Sequence, residues 1–172
     1  MKQFNRTADI NLKKSLAQCL ILSKIRYGNV VFGNAPDYLI GRLQKLQRTA
    51  ASFVLNRYCN DVEILNLKWL PVKESILLST VKLAHKSLYD ERFPSYMKLR
   101  FKPTPQRVLR NTIKSHEIMT NNMEGTFEHT ASKTFNDLPA SIRKIDEYEK
   151  FSIFAKKYFI DRAIARVIRL SN

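Results

Sequence analysis

A chain of 172 residues, 44% hydrophobic and 10% aromatic, has enough apolar surface for a real core and does not have the composition of a disordered segment. Thirty Lys and Arg against fifteen Asp and Glu leave a formal +15, an excess that calls for an anion: nucleic acid, an acidic protein or an anionic membrane surface. No run of about 20 apolar residues is present, and the start MKQFNRTADINLKK has no apolar signal stretch, so an intracellular protein of the nucleus or cytoplasm is expected, with no membrane partner.

In chain order, residues 10 to 26 place Leu12, Leu16, Cys19, Leu20 and Ser23 at steps of three and four, which predicts an amphipathic helix with Lys13, Lys14 and Lys24 off that face. Gly28, Gly33 and Pro36 then break the period. A second helix is expected after Pro36, capped by Asp37, with a heptad-like seam of Leu39, Leu43, Leu46, Ala50 and Phe53. Arg42, Lys45 and Arg48 step by three away from that seam with little acid beside them.

Helices are also expected near 61 to 67 and 73 to 89, the second after the stop at Trp69-Leu70-Pro71. Three prolines and an Asn-Asn pair with weak periodicity mark residues 93 to 126 as an irregular linker. A short helix around 128 to 136 and a longer one from about 147 to 169 follow. The longer one begins with the stripe Phe151, Phe154, Ala155, Tyr158 and continues with Arg162, Arg166 and Arg169 on nearly the same face.

The fold class is therefore mainly α. Charge is concentrated early: the first 60 residues hold ten basic side chains against Asp9 and Asp37. Lys13, Lys14, Lys24, Arg26, Arg42, Lys45, Arg48, Arg162, Arg166 and Arg169 are the candidate nucleic-acid-binding residues. Tyr27, Phe32 and Tyr38 could stack on bases or pack in the core.

The residues spell out no active site. The four glycines are scattered, and no zinc-ligand spacing or nucleophile elbow occurs. His85, His116 and His129 read as surface or capping histidines, and Cys19 and Cys59 as buried thiols. Tyr58-Cys59-Asn60-Asp61 imitates a polymerase metal box. However, Asn60 supplies no carboxylate, so Asn60 and Asp61 are better suited to capping the next helix. No catalytic residue, metal, cofactor or small-molecule substrate is expected.

Five landmarks recur in a fixed order: Tyr27-Gly28-Asn29-Val30-Val31-Phe32-Gly33; Leu43-Gln44-Lys45-Leu46-Gln47-Arg48-Thr49-Ala50-Ala51; Trp69-Leu70-Pro71-Val72-Lys73-Glu74; Lys86-Ser87-Leu88-Tyr89 with Pro94-Ser95-Tyr96-Met97; and Phe135-Asn136-Asp137-Leu138-Pro139 leading to Phe151. In this order they resemble the region downstream of the polymerase core in non-LTR retrotransposon reverse transcriptases of the jockey and CR1-like kinds. Phe32 and Phe135 stand where that family has Trp, and Thr49 where it has Arg.

The resemblance implies a helical, thumb-like segment over 1–92, the linker 93–126 and a second small helical lobe over 127–172. It also implies a non-catalytic role, because the finger and palm aspartates of an RNA-directed DNA polymerase lie upstream of the matching region. The expected activity is a grip on the RNA or DNA backbone, with upstream polymerase domains of the same element as further partners. A helical protein-interaction module and an inert truncated relic are the alternatives.

Overall fold

The computed structural model describes residues 9–31, 33–102, 117–120 and 126–171. Phe32, His116 and most of the expected linker lie outside the described residues. The protein is mainly α-helical, and the one β feature among the described residues is an isolated antiparallel bridge between Phe101 and Ile118. The chain packs as two compact units, Met1–Ile76 with Phe159–Asn172, and Leu77–Tyr158. Both unit boundaries fall inside long helices, whereas the sequence places them at 92 and 127. A continuous helical period carries no mark of where its packing partner changes.

In the first unit, α1 (Ile10–Ala17) passes through a π-helical turn, Gln18–Leu22, into α2 (Ser23–Arg26). Ser23 N–H reaches back five residues to the Gln18 carbonyl, and the Ser23 hydroxyl takes the Cys19 carbonyl that a regular turn would give to that N–H. The buried face consequently runs Lys13, Ala17, Leu22, Ile25, with one step of five. The expected seam faces outward instead: Leu20 is 66% exposed, and Leu12 and Cys19 are exposed as well.

Gly28 adopts φ +62, and a chain of turns leads to Gly33, where a Cβ would stand 3.0 Å from Ile76 Cγ2. Helix α3 (Asp37–Leu55) begins after Pro36, which occupies the N-cap position. Asp37, expected as the cap, is instead its first residue, so the helix starts one residue earlier than expected, and the carboxylate is still favourable toward the helix dipole. Its buried face is Gln47, Ala50, Ala51 and Val54, flanked by Ile40, Leu43 and Phe53, while Leu46 is exposed. Asn56 ends it in the left-handed region at φ 54.

Helix α4 (Asp61–Asn66) opens with a capping box. Val62 N–H donates to Asn60 Oδ1 at 2.8 Å and Asn60 N–H to Glu63 Oε2 at 2.9 Å. Trp69, Leu70 and Pro71 are buried ahead of α5 (Val72–Tyr89), whose first turn belongs to this unit.

The second unit takes the remainder of α5, a 3-10 turn at Ser95–Met97, α6 (Phe127–Asn136), α7 (Ala140–Arg143) and the beginning of α8 (Tyr148–Ser171). Asn136 acts as a strand edge for Ile118, accepting its N–H at 2.8 Å and donating to its carbonyl at 3.0 Å. Phe151 stacks on His85 with centroids 4.2 Å apart, and Phe135 lies 6.0 Å from Phe151. His85 is a core residue here, contrary to the surface position expected of it. On α8 the buried run is Phe151, Ala155, Phe159 and Ala163, in steps of four, whereas Phe154 is exposed.

Candidate nucleic-acid interface

At 100° per residue, the face of α3 opposite its buried side carries Tyr38, Arg42, Lys45 and Thr49. Tyr38 is 69% exposed, Arg42 and Lys45 are exposed, and a Cβ on Gly41 would meet nothing within 4 Å. Arg42 and Lys45 make no ion pair among the described residues.

The acids of residues 10 to 76 are engaged elsewhere. Arg48 Nε lies 2.8 Å from Asp61 Oδ1 and Arg57 Nη2 3.7 Å from Glu63 Oε1. Lys73 Nζ lies 3.5 Å from Asp37 Oδ1, and Arg166 Nη1 lies 2.7 Å from Glu74 Oε1. Each of these four carboxylates holds one cation, which leaves the α3 face uncompensated.

Three of the ten candidate cations are engaged within the fold. Lys13 is 2% exposed and donates to Asn56 Oδ1 at 3.1 Å, a cation placed at the C-terminal end of α3, where the helix dipole favours it. Arg48 forks onto Asp61 with a second bond, Nη2 to Oδ2 at 3.0 Å, tying α3 to α4. That bond raises the Arg48 pKa and holds the Asp61 carboxyl below the ordinary carboxylate value; burial opposes both shifts, and a bond from Gln44 adds to the second. Arg166 forks onto Glu74, which is 3% exposed.

The other seven are Lys14, half-buried, and the exposed Lys24, Arg26, Arg42, Lys45, Arg162 and Arg169. What the structure brings together on one face is Arg42 with Lys45. Lys24 and Arg26 stand in the last turn of α2 and Arg169 in that of α8, where cations also suit the helix dipole. Among the aromatics Tyr27 is almost fully exposed, and so is Tyr58 ahead of the α4 capping box.

Three of the five landmarks lie together in the first unit. Gln44 Oε1 accepts from Val72 N–H at 2.8 Å and Gln47 Nε2 donates to the Leu70 carbonyl at 2.8 Å, joining the second landmark to the third. Asn29 Nδ2 reaches the Ser75 carbonyl at 3.4 Å, and Gly33 abuts Ile76, bringing the first alongside. Comparison with family models, curated proteins and solved structures returns no match. Among the described residues no helix is long and apolar enough to cross a membrane.

Proposed function

We propose that the Met1–Ile76 and Phe159–Asn172 unit is a non-catalytic nucleic-acid grip, the C-terminal portion of a retrotransposon-derived RNA-directed DNA polymerase. The observation that carries this reading is the α3 face, where Arg42 and Lys45 stand free beside Tyr38 and Thr49 while the nearby acids are paired. Lysine and arginine at such a face neutralise phosphates and release counterions, so affinity is steeply salt-dependent and indifferent to sequence. Tyr38 offers a stacking surface for a base. The family origin is supported by the ordered landmarks and by the side-chain bonds that join the second of them to the third, with the first packed beside the third.

The test is fluorescence-anisotropy binding to single-stranded RNA, duplex DNA and an RNA-DNA hybrid between about 50 and 200 mM salt. Binding that falls steeply with salt and is lost in Arg42→Glu/Lys45→Glu is the expected result. No binding to any of the three at the lowest salt overturns the proposal. A second reading, a helical protein-interaction module, is favoured by the outward-facing Leu12 and Leu20 of the α1 to α2 rod. A complex formed through that face persists at high salt.

A further inference from the structure

The Leu77–Tyr158 unit contains a cavity of about 620 Å³, within the size range of small-ligand sites. Its lining combines the end of α5 and the turn after it with Asp146 and Tyr148 at the start of α8. The two cations in that lining are already committed. Lys86 Nζ sits 4.8 Å from the centroid of the Tyr148 ring, and Arg92 Nε lies 3.4 Å from Asp90 Oδ1.

What remains uncommitted is of one kind. Asp146 and Glu91 are exposed and make no ion pair among the described residues. His85 adds a buried acceptor. Its Nε2 lies 2.8 Å from the Ile145 carbonyl, which only accepts, so Nε2 carries the proton and Nδ1 of the neutral ring is bare. That Nδ1 has no partner, in a side chain 1% exposed. Apart from the phenol hydroxyls of Tyr89 and Tyr148, the free polar groups of the lining are therefore acceptors, in a chain of +15. Among the described residues no three ligating side chains are placed to hold a metal ion, which points to an organic cation.

We propose that this cavity binds a guanidinium or ammonium group, with its charge toward the Asp146 and Glu91 carboxylates and its alkyl stem against the Tyr89 and Tyr148 rings. A free diamine and the basic side chain of a peptide present the same chemistry. An entering cation competes with Lys86 for the Tyr148 face, so removing the Lys86 charge strengthens binding. A site for anions would respond in the opposite sense.

The experiment is calorimetric titration of the full chain with agmatine, with an end-blocked arginine peptide, and with glutarate as an anionic control, while the ¹⁵N shift of His85 Nδ1 is followed by NMR. Saturable binding of either cation at about 1 mM or tighter is expected. It should be at least about tenfold weaker in Asp146→Asn and severalfold tighter in Lys86→Met, with no glutarate binding. Whichever cation binds more tightly identifies the source of the group. Asp146 is exposed and asparagine keeps its shape, so far-UV circular dichroism of that variant should match the parent. Failure of both cations to saturate, unchanged affinity in Asp146→Asn, or glutarate binding overturns the proposal.

Discussion

The two units carry net charges of the same sign, +9 for Met1–Ile76 with Phe159–Asn172 and +6 for Leu77–Tyr158, yet the α3 face of the first and the cavity of the second leave opposite charges uncommitted. On the α3 face Arg42 and Lys45 stand unpaired, because Asp37, Asp61, Glu63 and Glu74 are each held by another cation. Around the cavity, Lys86 lies on the Tyr148 ring and Arg92 on Asp90, and the Asp146 and Glu91 carboxylates remain. Composition sets the long-range field, whereas internal pairing decides what each surface selects. Two arginines one or two turns apart can therefore have unrelated roles.

Substitution separates cations that serve the fold from those that serve a ligand. Arg166→Ala strands the buried Glu74 and should cost about 3 kcal/mol by urea denaturation, leaving nucleic-acid affinity of the folded protein unchanged. Arg42→Glu/Lys45→Glu should do the reverse. Affinity is expected to fall about 30-fold or more, roughly 2 kcal/mol, while stability stays within about 0.5 kcal/mol of the parent. Arg48→Ala should cost about 1 kcal/mol of stability through its fork to the half-buried Asp61.

Acid titration sharpens the contrast between the units further. His85 is pushed below the ordinary imidazole value, mainly because burial penalises its charged form; the Ile145 carbonyl and Asp146 oppose the shift. The unfolded ring takes its proton first, so the stability it contributes is full above about pH 6.5 and declines as pH falls below that. The depressed Asp61 carboxyl contributes stability that is present above the unfolded value of about 3.9 and is lost as pH falls through the folded value. Urea midpoints should therefore drop in two separate windows. His85→Phe, which keeps an aromatic ring against Phe151, should remove the upper one, and Arg48→Ala should shrink the lower.

The helices were legible because their ends carry local chemistry: Pro36 before α3, the Asn60 and Glu63 box before α4, and Pro71 before α5. The outward face of the α1 to α2 rod was not, because the π turn at Gln18–Leu22 inserts one residue into a pattern read at 3.6 per turn. Burial of polar side chains escaped for a different reason. Lys13, Gln47 and His85 are held by Asn56, the Leu70 carbonyl and the Ile145 carbonyl, partners 23 to 60 residues away in sequence. Likewise, nothing in the step of three from Arg42 to Lys45 to Arg48 marks the last as different. Asp61, 13 residues on, makes the distinction.

Phosphate contact by Arg42 and Lys45 is read out by the salt dependence of binding to a nucleic-acid duplex. In the parent, log K should fall linearly with log salt, and Arg42→Gln/Lys45→Gln should reduce the magnitude of that slope by about two, while Arg48→Gln leaves it unchanged. An unaltered slope in the double variant, or an equal loss in Arg48→Gln, would contradict the assignment of the α3 face as the phosphate contact.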